Sequence, residues 1–159
     1  MTDEDIGFPT EHDDETELFL HWLRYLRGAV LRNVEGLDDA QARWRPDGKL
    51  ISLVGIVSHL TNVEYRWIEG GFRGAAVERL AAEFTPDAPR TEVIAAYRAR
   101  AAATEEAVRV MPLNEASGSD TWAEGRTLRW VLLHLINETA RHAGHADAVR
   151  ELIDGATGE

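Results

Sequence analysis

Apolar residues recur at intervals of three and four along four long segments, the spacing that places side chains on one face of an α-helix. These segments span about 15–35, 52–69, 91–110 and 127–153. The alternation of apolar and polar residues that is typical of strands is scarce. Four amphipathic helices joined by loops of moderate length predict an all-α fold, an antiparallel four-helix bundle.

Local signals predict where several of these helices begin and end. Asp38 followed by Gln41 has the spacing of a capping box and predicts a short extra helix before the second long one. The pair Gly70 and Gly71 is predicted to end the second long helix. Thr127 is predicted to be the N-cap of the last helix, because its hydroxyl can accept from the first free backbone N–H groups.

Polar and apolar side chains share one side of the last helix. On a helical wheel, four polar residues fall within a sector of about 80°; they are His134, Glu138, His142 and His145. The same sector contains Val149 and Leu152, so the polar stripe is predicted to point inward. The alternatives are hydrogen-bonded core histidines or a wet helix edge. Buried imidazole and carboxylate groups need partners, since an unpaired buried polar group is costly.

Three of the inward-facing residues form a candidate metal site. Glu138 and His142 stand four residues apart, which sets their side chains on adjacent helical turns, as in helices that chelate metals. His59 lies between Ile56 and Leu60 on the apolar face of the second helix and offers a third donor, although alone it also fits a core histidine. Two histidines and one carboxylate suit Zn²⁺ with an open fourth position for water. The same donors also suit Ni²⁺, Fe²⁺ or Mn²⁺, because the type of ligand alone does not determine which of these metals binds.

Composition narrows the range of partners. The net charge of −11 disfavours binding to nucleic-acid phosphates. No apolar run reaches the roughly 18–20 residues of a membrane span, and the N-terminus lacks the pattern of a signal peptide. We therefore expect a cytoplasmic protein that binds neither nucleic acid nor membrane. The chain has no cysteine, so any thiol in its chemistry must come from a ligand.

Acidic residues are concentrated at the N-terminus, where residues 1–14 are predicted to form a flexible acidic tail. Residues 15–155 are predicted to form a single helical bundle domain. Apolar faces of bundles often associate, so a homodimer is a further expectation. Trp22, Trp67 and Phe72 are the candidates for its interface.

Two phrases of the sequence resemble the DinB/YfiT-like superfamily of four-helix bundles: SLVGIVSHLTNVEYRWI in the second long helix and TLRWVLLHLINETARHAGHADAVRE in the last. They are most similar to the actinobacterial branch that includes the metal-binding domain of mycothiol-dependent maleylpyruvate isomerase. The phrase LDDAQARWRP also fits, and the resemblance extends over about 15–153. It implies a bundle with one long crossover and a divalent metal.

The resemblance also implies which residues hold that metal. The family places one histidine on the second helix, then a histidine or glutamate and a second histidine four residues apart on the last helix. These positions correspond to His59, Glu138 and His142. Many members have histidine where this chain has Glu138, whereas the isomerase-like branch has glutamate. His134 and His145 are candidates for supporting or pocket-lining roles.

The function implied by the resemblance is that of a metal-dependent transferase acting on a small-molecule substrate, with mycothiol as co-substrate. A divalent cation, most simply zinc, would favour the thiolate form of the incoming thiol. Glu138 would be a ligand only, or a ligand that also accepts a proton. Trp122 and Arg126 are candidates for the pocket mouth, with plain packing and surface roles as the alternative. The alternatives are a non-catalytic metal-binding or small-molecule-binding bundle, such as a stress or accessory protein, and a structural bundle without metal.

Overall fold

Helices account for nearly all the regular secondary structure in the computed structural model, which describes residues 7–158. The five α-helices are α1 (Glu15–Val34), α2 (Asp39–Arg43), α3 (Leu53–Phe72), α4 (Arg90–Arg109) and α5 (Leu128–Asp154). Two 3₁₀ turns, Pro46–Gly48 and Ala81–Phe84, lie in the connections. The four long helices pack as a bundle in which α1 lies chiefly against α5, and α3 against α4 and α5. The predicted all-α bundle with a short extra helix is confirmed.

Side-chain caps explain where the helices start. Ser52 accepts a hydrogen bond from the backbone N–H of Gly55 at 3.1 Å and opens α3. Thr127 accepts from the N–H of Trp130 at 3.3 Å and opens α5, as predicted. The predicted capping box at the start of α2 is present in full, with side chain and backbone bonded reciprocally.

The glycine pair in α3 does not end the helix, so that prediction was wrong. The helix continues through both glycines to Phe72. A Cβ atom on Gly70 would lie 2.5 Å from a methyl carbon of Val77, and one on Gly71 would lie 3.0 Å from the Cβ of Ala123. The two glycines therefore let the chain after α3 and the loop before α5 pack against the helix.

A group of buried charged side chains joins three of the long helices. Arg27 is 4% exposed, and its guanidinium donates two hydrogen bonds of 2.8 and 2.9 Å to Glu64. It also contacts Glu105 at 3.1 Å. These contacts join α1, α3 and α4, and the pairing is required because unpaired charges in a core are strongly destabilising.

The inward placement of the α5 stripe holds for most of its length. Val149 is fully buried, whereas Leu152 is 62% exposed, so the expectation that Leu152 faces the core was wrong. Leu152 lies in the last turn of α5, beside Trp44 in a surface groove, because the bundle ends there.

The N-terminal segment and the candidate interface residues make contacts within the chain. Residues 1–6 of the predicted tail lie outside the described residues; in the remainder, the Phe8 ring packs edge-on against Trp22 and Tyr25, 5.3 and 5.5 Å away. Trp67 packs against Trp130 on α5. Within residues 7–158, no helix combines the length and apolar composition needed to cross a membrane.

Candidate metal site

The three residues proposed as ligands come together between α3 and α5. One ligand atom from each of His59, Glu138 and His142 lies within 4.8 Å of the others. The Glu138 Oε2 atom is 3.9 Å from Nε2 of His59 and 3.8 Å from Nε2 of His142. Because His59 is buried in α3 and the other two are half-buried on α5, the donors face one another across the helix interface.

The distances between these donor atoms fit coordination of a shared cation better than direct hydrogen bonds between the side chains. Distances of 3.8 and 3.9 Å are too long for N–H···O bonds. Ligands bound to tetrahedral zinc at about 2.0–2.1 Å lie roughly 3.3 Å apart, so a small inward movement would bring the donors into range. The donor set therefore fits a divalent metal, and the role of the three residues as its ligands stays a prediction.

A buried carboxylate fixes the orientation of the His59 ring. Glu83, in the 3₁₀ turn Ala81–Phe84, lies 2.6 Å from Nδ1 of His59. The Arg66 guanidinium holds the same carboxylate through hydrogen bonds of 2.5 and 3.1 Å. Burial alone would raise the pKa of Glu83, but hydrogen bonds from Arg66 and His59 outweigh it and lower the pKa. An ionised Glu83 accepts a hydrogen bond from the Nδ1–H group of His59, which leaves the unprotonated Nε2 atom facing the site.

Sequence reasoning missed Glu83 and Arg66. Glu83 lies in a segment that carries no helical period, and 24 residues separate it from His59. Arg66 stands on α3 among residues of ordinary helical pattern, where an arginine normally reaches solvent, yet it is only 3% exposed. The burial of these two side chains is set by tertiary packing. The sequence around each residue therefore does not indicate that it is buried.

His142 sits in a poorly solvated position that keeps its imidazole neutral. Burial lowers its pKa to about 4, His59 adds to the shift, and Glu138 opposes it. The neutral ring is the form that binds metals. The Nδ1 atom of His142 is buried without a hydrogen-bond partner among residues 7–158.

His145 lies next to His142 and outside the three-residue cluster. The two rings are stacked with centroids 6.1 Å apart. Burial lowers the pKa of His145, and its Nε2 atom is buried without a partner among the described residues. It has a donor or acceptor available beside the cluster, and its supporting role stays a prediction.

His134 also lies outside the cluster, one helical turn before Glu138. Its ring packs against Trp67, with centroids 4.6 Å apart, and stacks on Trp130 at 5.4 Å. Burial lowers the pKa of His134, Glu138 opposes the shift, and Arg126 adds to it. His134 therefore connects the site to an aromatic cluster further along the helices.

Trp122 and Arg126 line a cavity at that end of the bundle, and their role at the mouth of a substrate pocket stays a prediction. The Arg126 guanidinium lies over the Trp130 ring, 4.7 Å from its centroid. Trp122 covers Arg66, whose guanidinium carbon is 5.5 Å from the indole centroid. The side chain of Arg66 thus joins the cavity wall to the support of His59.

Facing helices that bring together two imidazoles and a carboxylate define a class of helical bundle that can hold a metal in its core. The particular family follows from sequence comparison. The model of the family described as mycothiol S-transferase matches residues 18–155. The chain therefore belongs to this family of DinB/YfiT-like proteins.

A solved structure of similar fold is a conserved protein from Enterococcus faecalis. It superposes with a TM-score of 0.69 over 91% of this chain and 100% of its own, at 15% sequence identity. At this identity the likeness shows the shared fold alone. No curated protein matches the chain significantly.

Proposed function

We propose that this protein is a metal-dependent transferase that joins the sulfur of mycothiol to an electrophilic small molecule. The observation that carries the proposal is the convergence of His59, Glu138 and His142 at one point, with His59 oriented by a buried carboxylate. Membership of the mycothiol S-transferase family supports the choice of thiol. The absence of cysteine in the chain is compatible with a thiol supplied by a co-substrate.

The chain's own residues divide the work between binding and proton transfer. His59, Glu138 and His142 would hold the cation, with Zn²⁺ the first candidate and Ni²⁺, Fe²⁺ or Mn²⁺ the alternatives. A bound dication supplies the positive charge that favours thiolate over thiol at neutral pH. The neutral form of His142 keeps its nitrogen free for this role at neutral pH.

We assign Glu138 the role of accepting the thiol proton. Its Oε2 atom faces the two histidines, whereas its Oε1 atom is 3.8 Å from the exposed Arg141 guanidinium. The side chain is 20% exposed, so one oxygen can contact an incoming ligand. In the proposed reaction the S–H proton passes to Glu138, a sulfur–carbon bond forms, and the bond between that carbon and its leaving group breaks with both electrons going to the leaving group.

Metal content tests the site directly. The purified protein should contain about one divalent metal per chain, and His59→Ala and His142→Ala should each lose most of it, because each change removes one of three ligands. The exposed His12 lies outside the cluster, so His12→Ala serves as the matched control. Negligible metal in the wild type, or unchanged metal in both site variants, would contradict the site and favour a structural bundle.

Turnover separates the transferase from a binding protein. The metal-loaded protein is incubated with mycothiol and 1-chloro-2,4-dinitrobenzene, and the thioether product is followed by absorbance. We expect a rate above that of the uncatalysed reaction, with loss of the excess in His59→Ala. Metal binding together with uncatalysed rates across a broad panel of electrophiles would instead indicate a non-catalytic metal-binding bundle.

A further inference from the structure

A cavity of about 690 Å³ lies between the end of α3, the segment after it and the loop before α5. Its walls include Gly70 of α3, residues 74–77 and residues 120–122, together with Trp67 and Arg126. The cavity has the size of sites that take small molecules. No residue of the proposed metal cluster lines it.

The charges of the lining disfavour an anionic ligand. Asp120 and Glu124 are the acidic residues of the described lining, and Arg126 is its basic residue. Arg126 is already paired with Glu124 at 2.8 Å. A carboxylate or phosphate entering the cavity would meet two like charges and compete with Glu124 for the guanidinium.

The lining instead suits a neutral ligand that carries several hydroxyl groups. Asp120 and Glu124 can accept hydrogen bonds from hydroxyls, and the Arg126 guanidinium can donate to them. Trp67 and Trp122 line the cavity, and their indole side chains offer apolar surface against which the C–H groups of a saturated ring can pack. Apolar platforms with polar groups at the rim are typical of sites that bind sugars and polyols.

Two sets of contacts connect the cavity to the metal cluster. On one side, the Trp67 ring contacts His134, which precedes Glu138 by one turn of α5. On the other, Trp122 lies over Arg66, whose guanidinium holds the Glu83 carboxylate. Along α3, Trp67 is eight positions after His59, which corresponds to a rise of about 12 Å. A ligand that reached both places would have to be extended by about that length.

We infer that this cavity binds the neutral, polyhydroxylated part of the thiol co-substrate, while its sulfur lies at the metal cluster. The inference rests on the proposed function and assigns the cavity a role in thiol selection. Small thiols that lack such a part would bind at the metal cluster without additional affinity from contacts in the cavity.

The test uses a probe that has no thiol, N-acetylglucosaminyl-myo-inositol, and the metal-free protein. Binding is followed by isothermal titration and by quenching of tryptophan fluorescence, since two tryptophans line the cavity. We expect the probe to bind the wild type and to lose measurable binding to Ala76→Trp, which adds an indole at the cavity wall. Ala40→Trp is the matched control, because Ala40 is also exposed and lines a separate groove beside Trp44.

A second variant covers the case in which Ala76→Trp does not fold. Asp120→Asn removes one charged acceptor without adding bulk and should weaken the probe by about tenfold, the usual loss for a hydrogen bond to a charged group. Absence of binding to the wild type, or equal binding to the wild type and both variants, would overturn the inference. Tighter binding of myo-inositol 1-phosphate than of the neutral probe would also overturn it.

The proposed function can fail separately. Metal content and transfer from N-acetylcysteine, a thiol without a sugar, depend on the metal cluster and leave the cavity unused. If these persist while the sugar probe does not bind, the cavity assignment is wrong and the transferase stands. If the probe binds while no thiol is transferred, the cavity assignment stands and the transferase is wrong.

Discussion

Replacing Glu83 by alanine removes a carboxylate that holds two buried groups at once. The Arg66 guanidinium, whose side chain is 4% exposed, would lose both of its hydrogen bonds to Glu83. The Nδ1 atom of His59 would lose its partner at 2.6 Å. The change therefore leaves a buried charge without its counter-ion and a metal-site histidine without its support.

Two separate losses are expected from this substitution. Removing one partner of a buried ion pair costs about 3–5 kcal/mol of stability, a large part of the roughly 5–15 kcal/mol of a typical domain. Loss of the group that orients a metal-binding histidine weakens metal affinity by about 10–100-fold. The first loss arises mainly from Arg66 and the second from His59.

The two losses are measured on the same protein samples. Urea unfolding of the metal-free protein, followed by circular dichroism, gives the change in unfolding free energy. Competition with a chromophoric chelator gives the metal dissociation constant. Glu78 is exposed in the same connection, so Glu78→Ala is the matched control and should stay within about 0.5 kcal/mol of the wild type.

A loss of less than about 1 kcal/mol in Glu83→Ala would contradict the buried pairing, since a surface pair is worth no more than that. Lower stability with unchanged metal affinity would show that Glu83 does not orient His59. Glu83→Gln sharpens the distinction, because its amide oxygen can still accept from His59 while the charge for Arg66 is gone. It should recover part of the metal affinity that Glu83→Ala loses.

Three further predictions concern stability, each measured by urea unfolding of the metal-free protein. Gly70→Ala should lose about 1–3 kcal/mol because its Cβ would lie 2.5 Å from Val77, whereas Gly144→Ala, in open space on α5, should gain up to about 1 kcal/mol; equal effects would contradict the packing role. Burial lowers the pKa of His134 below that of the unfolded chain, so the unfolded state takes up the proton first and stability falls as pH drops below about 6.5. His134→Phe should make this fall shallower, and an unchanged slope would be inconsistent with a buried neutral ring. Tyr97→Phe should change stability by less than about 1 kcal/mol, because the buried hydroxyl makes no hydrogen bond of standard geometry among residues 7–158 although the Arg27 guanidinium lies beside it, and a larger loss would show that Arg27 donates to the hydroxyl.

Much of the helical framework could be predicted from local sequence. Helical periodicity and side-chain caps act between residues three or four apart, so the starts of α2 and α5 were read correctly from Asp38, Gln41 and Thr127. Glu138 and His142 share a helix face for the same reason. His59 could be assigned inward because its neighbours at helical spacing are apolar.

The family resemblance, carried by the sequences of α3 and α5, is borne out by the family match over residues 18–155. The role of His59, Glu138 and His142 as ligands and that of His134 and His145 as supporting residues stay predictions. The structure adds that the first three lie together, while the other two stand apart from them on α5.

Only tertiary packing decided what surrounds those residues. Gly70 and Gly71 resemble a helix end in sequence, but they lie within α3 because Val77 and Ala123 pack closely against it. Leu152 shares the apolar sector of α5 and is still exposed, since the bundle ends before it.

The residues that orient His59 could likewise not be predicted from the sequence. Glu83 and Arg66 meet His59 only after the connection between α3 and α4 folds back on α3. Glu83 is 17 positions after Arg66 and 24 positions after His59. Helical periodicity relates residues only three or four positions apart, so it does not predict these pairs. The sequence by itself determined which donors face the interior, because periodicity and apolar neighbours act locally. The tertiary structure decided how those donors are oriented and what cavity lies beside them, because both depend on contacts between distant segments.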